Sequence, residues 1–189
     1  GGASTATMAE AGLMTRLTDE QLGIRELARD FALRELRPHA EHWDAAGEIP
    51  DEALASMAEM GFLGLRVPEA HGGLALDLPT ALLAVEAMAW GESAVGLTLS
   101  VHAGPVTRAL LRWATEAQQA RWLPGVADGT VRTALALSET GAGSDVGAMA
   151  ARAERQGEGW RLTGEKRWVT GGDRAGLVLV WARSSGEPG

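Results

Sequence analysis

Leu135 to Gly172 reads L-A-L-S-E-T-G-A-G-S-D-V-G-A-M-A-A-R-A-E-R-Q-G-E-G-W-R-L-T-G-E-K-R-W-V-T-G-G. Two short extended runs flank a polar, glycine-rich loop, and a third run ends in Trp168-Val169-Thr170. The loop from Ser138 to Asp145 offers backbone amides and hydroxyls without bulky side chains, which suits an anionic or many-acceptor ligand. The third run sets a large aromatic plane beside a hydroxyl. Together they fit a flat, polar-edged heteroaromatic ring that carries phosphates.

Ser138-Glu139-Thr140-Gly141-Ala142-Gly143-Ser144-Asp145 resembles the T-E-P-G-x-G-S-D loop of the acyl-CoA dehydrogenases, and Trp168-Val169-Thr170-Gly171-Gly172 their W-I-T-N-G segment. The spacing between the two and the intervening G-W-x-L-x-G-x-K also match, and the resemblance runs from Leu17 to Trp181. It implies an FAD site on this sheet. Leu135, Leu137, Ser138, Gly143, Ser144, Trp168, Val169 and Thr170 would then bind the cofactor. The Leu137 and Ser138 amides and the Ser138 hydroxyl would donate to the pyrimidine edge of the isoalloxazine, where charge develops on reduction. Thr170 would meet the nitrogen that accepts hydride, Trp168 would cover one face of the ring, and Gly143 and Ser144 would face the pyrophosphate. Ser144 would also touch the acyl-CoA. Leu97 and Val101, with Leu99 between them, would wall an acyl pocket. Relatives that take a dicarboxylic acyl group place an Arg where this chain has Ala94-Val95, so the expected substrate tail is uncharged. The chain departs from the family at Ser138 (Thr), Thr140 (Pro), Gly171 (Asn) and Leu135 (aromatic); none of these changes removes a donor that the flavin needs.

The same resemblance implies α,β-dehydrogenation of an acyl-CoA thioester. A catalytic base would lie in a C-terminal helical domain beyond Gly189, so no catalytic residue is expected within this chain. A homotetramer or homodimer, and an electron-transfer flavoprotein as acceptor, are implied as partners. Two alternatives stay open: an oxygen-using flavoenzyme of the same fold (an acyl-CoA oxidase or flavin monooxygenase), and a non-catalytic binding or assembly module. The retained set Ser138, Gly143, Ser144, Trp168 and Thr170 speaks against the last.

Composition bounds the rest. The chain has 189 residues, 46% of them hydrophobic, a net charge of -8 and no cysteine. A buried core is within reach, while disulfides, thiolate nucleophiles and cysteine metal sites are excluded. Lys and Arg are scattered, which argues against nucleic acid as a partner. No apolar run reaches the roughly 18 residues of a membrane span. No His or carboxylate pair is spaced for a metal. His71 reads as a loop residue, Glu86 as a solvated helix residue, and His102 as a packing residue. The expected location is the cytoplasm of a GC-rich bacterium rather than a mitochondrial matrix.

The expected fold is α+β, with an N-terminal all-α helical bundle domain over 17–130 and the beginning of an antiparallel β-barrel domain over 131–189. Residues 1–16 read as a flexible lead, with Met8 and Met14 as candidate starts, and the ending after a strand reads as a fragment lacking the base and inactive alone. Thr18-x-x-Gln21 and Thr115-x-x-Gln118 are capping boxes that open helices, and Leu17 and Leu22 stand at staple positions. Leu22, Leu27 and Phe31, with Ala28 and Leu33, form the expected apolar face of the first helix. Pro38 kinks that helix or starts its next piece. Pro50-Asp51-Glu52 opens another helix that Gly61 closes, and Asp77 caps the next. Residues 92–113 read as a buried helical pair, and Pro124 as the stop after Leu123. Residues 151–163 read as a hairpin, 166–170 as a strand, and Leu177–Ala182 as a central strand.

Overall fold

The computed structural model describes residues 16–184. The lead expected over 1–16 lies, apart from Arg16, outside the described residues.

Helix α1 (Asp19–Phe31) starts at Thr18, whose hydroxyl accepts the Gln21 N–H at 3.2 Å while the Gln21 side chain accepts the Thr18 N–H at 3.0 Å. This reciprocal bonding satisfies two of the N–H groups that any helix start leaves open. The buried face of α1 is Ala28 and Phe31, with Ile24 packed beside them. Leu27 and Leu33, read as part of that face, point outward at 44% and 52% exposure. The three- and four-residue spacing from Ile24, rather than from Leu22, sets the seam. A π-helical turn (Ala32–Leu36) follows, then a 3-10 turn (Arg37–His39) holding Pro38. The widened turn lets the chain pass the missing Pro38 N–H and still return Leu36 to the core.

Helix α2 (Ala40–Ala46) ends at Gly47, and α3 (Asp51–Glu59) ends before Gly61, both glycines left-handed. The segment from Gly61 to Gly73 is more than a turn region: Phe62, Leu63, Leu65 and Val67 are buried, and Phe62 meets Phe31 at 5.4 Å between ring centroids. Helix α4 (Leu78–Gly91) is capped by the Asp77 carboxylate on the Thr80 N–H at 2.8 Å. Helix α5 (Ser93–Val101) follows at once, capped by Glu92, which accepts from the Ala94 and Val95 N–H groups. Gly96 allows the close crossing of α4 and α5; a Cβ there would stand 2.4 Å from the Ala89 Cβ. A second π-helical turn (His102–Val106) carries Gly104 and Pro105 into α6 (Thr107–Trp113). The pair formed by α5 and α6 is buried along one side only, since Leu97 is 53% and Trp113 70% exposed.

Helix α7 (Glu116–Asp128) opens with the second capping box. It continues through Pro124 instead of stopping there. Leu123, Val126 and Ala127 are buried around that proline, and their burial outweighs one lost backbone bond. The helix ends at Gly129, whose left-handed φ of 78° and tight seat against Leu63 and Ala58 require the missing side chain.

The chain then turns to strands: β1 (Thr133–Ala136), β2 (Arg152–Gln156), β3 (Gly159–Thr163) and β4 (Leu177–Val180). A helical unit followed by the start of a β unit is thus the observed order. β2 and β3 form the expected antiparallel hairpin. β1 and β4 pair in parallel, Thr133 opposite Leu177 through Ala136 opposite Val180, because a long crossover rather than a tight turn joins them. Two local expectations fail. Residues 166–170 form no strand: Trp168 takes a left-handed φ of 60° that breaks any extended run. β4 is not a central strand among the described residues, since it pairs only with β1 and its residues alternate between half-buried and exposed.

Candidate functional site

Two segments far apart in sequence meet directly after β1. The Arg167 N–H donates to the Ser138 carbonyl at 2.8 Å, and the Lys166 ammonium donates to the Leu137 carbonyl at 2.9 Å. Lys166 also reaches the Glu139 carboxylate at 2.8 Å, with both side chains under a tenth exposed. Glu139 accepts in addition from the Ala150 N–H at 2.6 Å and the Ala151 N–H at 2.9 Å. Its carboxyl is lowered from 4.5 to about 2, first by the Lys166 hydrogen bond and then by the two backbone donors. The loop tip is pinned by the Glu139 N–H on the Ala142 carbonyl and by the return bond from the Ala142 N–H. Arg183 supports the loop's far side through the Met149 and Gly147 carbonyls.

The sequence-expected residues fall into three places. Leu135 sits in β1 opposite Leu179, and Leu137 and Ser138 follow it, all half-buried. Gly143 and Ser144 are exposed in the loop. Among the described residues, no atom beyond its chain neighbours comes within 4 Å of the Cβ that a larger residue would carry at Gly143, so packing among them does not call for glycine there. Trp168 presents its ring to the outside at 88% exposure, beside half-buried Val169 and Thr170.

Thr170 opens onto a cleft of about 630 Å³ between the helical unit and the β segment. α5 lines it through Ala94, Leu97 and Thr98, and Ile49, Leu54 and Leu63 line it as well. Leu97 therefore lines the cleft, whereas Val101 is half-buried off it and Leu99 lies wholly in the core. The lining carries Asp44, Glu48, Glu92 and Asp173 against Arg132 and Arg174. Both guanidiniums are taken: Arg132 by Asp51 at 2.7 Å, and Arg174 by Asp51 at 3.0 Å and by Glu48.

His102 borders the cleft but is 3% exposed. Its Nε2 stands 2.9 Å from the Val126 carbonyl, which can only accept, so Nε2 carries the hydrogen and Nδ1 accepts the Thr133 hydroxyl at 3.1 Å. The imidazole is thus a packing residue with both nitrogens bonded. Glu86 is exposed on α4, and His71 is half-buried in a 3-10 turn. Among the described residues no three His, Asp or Glu side chains gather as a metal-ligand group, and no helix is long and apolar enough to cross a membrane. Sequence reasoning assigned no role to Glu139, Lys166 or Arg183. For the first two a signal existed, an acid at the start of the loop and a lysine two residues before Trp168, but their pairing needs the fold.

Two family models match the chain: the acyl-CoA dehydrogenase N-terminal domain over residues 18–130 and the acyl-CoA dehydrogenase middle domain over residues 134–189. An acyl-CoA dehydrogenase of Bacillus subtilis (strain 168) is 32% identical over 173 residues, which is 92% of this chain and 46% of that protein. Butyryl-CoA dehydrogenase from Megasphaera elsdenii has a similar structure, with a TM-score of 0.84 and 29% identity over 91% of this chain and 46% of that one. So does a glutaryl-CoA dehydrogenase from Mycobacterium smegmatis in complex with FADH2, with a TM-score of 0.83 and 29% identity over 88% and 43% of the respective chains. The chain spans about half the length of the relatives it matches.

Proposed function

This chain belongs to the acyl-CoA dehydrogenase family, and from that premise we propose that the protein containing it dehydrogenates an acyl-CoA thioester between its α and β carbons with FAD as cofactor. The observation that carries the reading is the meeting of two segments. Leu137-Ser138 is tied by backbone and by Lys166 to the segment that ends in Trp168-Val169-Thr170, and Thr170 opens on a cleft of mixed apolar and charged lining.

The donor set fits the group. Ser138 supplies an N–H and a hydroxyl, Thr170 a hydroxyl, and Trp168 an outward aromatic plane, as a flat ring with a polar edge needs. Gly143 and Ser144 are exposed, and their amides would face a phosphate. When bound, FAD supplies the hydride acceptor. Ser138 then holds the pyrimidine edge, where its donors favour the charge that develops on reduction. Thr170 would orient the ring beside the cleft, and Ala94 and Leu97 would hold the acyl chain against it. Ser144 would also contact the acyl-CoA. Val101 stands behind this wall and acts through packing.

An uncharged acyl tail fits the cleft best. Four acidic groups line it, and its two arginines are already paired, so a tail carboxylate would enter without a free cation. The α-proton passes to a carboxylate from outside this chain. A homo-oligomer and an electron-transfer flavoprotein as oxidant complete the proposal, with the cytoplasm of a bacterium as its setting.

The test is an anaerobic titration of the whole protein, followed by its visible spectrum. Straight-chain saturated acyl-CoAs are expected to bleach the flavin band, and a dicarboxylic acyl-CoA of equal length to bleach it at least tenfold less well. Equal bleaching by both would contradict the uncharged-tail assignment. A flavin that is reduced but reoxidises in air within one turnover would favour an oxidase.

A further inference from the structure

The ion pair of Glu139 and Lys166 is bonded to three further backbone groups. Its two side chains are 8% and 9% exposed. The Lys166 ammonium serves Glu139 and the Leu137 carbonyl, and the Glu139 carboxylate serves Lys166 and two consecutive N–H groups, those of Ala150 and Ala151. A buried pair of this kind gains little over an apolar pair of equal volume. What it does achieve is registry: one pair fixes the end of β1, the far side of the Gly-rich loop and the segment two residues before Trp168.

It also touches the peptide that matters most. The Leu137 carbonyl that accepts from Lys166 belongs to the same peptide unit as the Ser138 N–H. A cationic donor on the carbonyl of an amide polarises that amide and makes its N–H a stronger donor. The Ser138 carbonyl on the next unit is held by the Arg167 N–H at 2.8 Å. Both sides of Ser138 are therefore fixed by Lys166 and its neighbour, while among the described residues no group accepts the Ser138 N–H.

We propose that Glu139 and Lys166 are positioning residues of the flavin site, setting the place and the donor strength of the Ser138 N–H and fixing Trp168–Thr170 in register with it. Neither residue touches the cofactor. The inference rests on the flavin reading given above.

The test compares the whole wild-type protein with the double variant Glu139→Gln/Lys166→Met, which removes both charges and nearly keeps their volume. FAD affinity of the apoprotein, the two-electron reduction potential and the thermal midpoint of the apoprotein are measured on each. The double variant is expected to keep its apoprotein midpoint within a few degrees, to bind FAD about tenfold more weakly, and to favour the oxidised cofactor by a further factor of about ten. That last factor corresponds to a potential about 30 mV lower. If the double variant does not fold, Glu139→Gln alone preserves the shape and one acceptor, and a few-fold weaker FAD binding is expected of it. A yellow wild type whose folded variants bind FAD with unchanged affinity and potential overturns this inference alone. A wild type that takes up no FAD overturns the flavin reading and this inference with it.

Discussion

Burial decides the protonation of His102. Enclosure holds its imidazole below the ordinary value of 6.5, and the Val126 carbonyl only partly offsets that effect. A depressed histidine is neutral in the folded chain and still binds a proton when unfolded, so its contribution is fully present above pH 6.5 and declines as pH falls below it. We expect urea unfolding to give a stability that is level with respect to this group above pH 6.5 and falls below it. In His102→Ala that slope is lost, together with about 2–4 kcal/mol, because the Val126 carbonyl and Thr133 hydroxyl lose their partner beside a new cavity. Glu139 adds a second, more acidic step of the usual carboxylate sense: its contribution is present above 4.5 and is lost as pH falls through about 2. An absence of any stability change between pH 4.5 and 2 in wild type relative to Glu139→Gln would contradict the clamp. The packing role of His102 was legible from its place in an apolar run. Its partners, 24 and 31 residues away, were not. Trp168 was misread for a related reason. R-W-V-T is rich in the aromatic and β-branched residues that favour strands, and nothing local to it reveals the left-handed φ at Trp168.

At the level of elements, caps were the most readable signals, because a cap is a bond between residues three apart. Thr18, Asp77 and Thr115 all accept from the third residue beyond them, as their spacing implied. Departures arose where tertiary burial overrides local preference, as at Pro124 within α7 and at Leu27 on the outer side of α1. Pro124→Ala is expected to restore a backbone bond to the Ala120 carbonyl and to raise stability by about 1 kcal/mol, a gain of a few degrees in Tm. A lower Tm would show that the bend at Pro124 is needed for packing. The α2–α3 connection is joined to the β segment through Arg174, Arg132, Glu48 and Asp51, all partly open to solvent. Asp51, held below the usual carboxylate value chiefly by the Arg132 hydrogen bond, is the shared acceptor. Asp51→Asn is expected to lower Tm slightly in dilute buffer and not at all in about 1 M salt, where the screening length falls to roughly 3 Å. An equal loss at both salt concentrations would assign Asp51 a packing role instead.

For the whole molecule, two short motifs about thirty residues apart were enough to identify the β unit, and capping boxes with apolar spacing enough to identify the helical unit. The meeting of the two at one cleft was not legible, because Thr170 and the α5 residues Ala94, Leu97 and Thr98 that line it together lie about seventy residues apart in sequence. The central claim is that Ser138, Trp168 and Thr170 form one face of a flavin site at the mouth of an acyl cleft. The most direct measurement is the visible absorbance of the whole protein, purified with FAD supplied and compared with Ser138→Ala and Thr170→Ala. The account predicts a yellow wild type with one FAD per chain, and variants that bind FAD at least several-fold more weakly or with a shifted flavin band. A protein that stays colourless with FAD supplied, or variants indistinguishable from a yellow wild type, would contradict it.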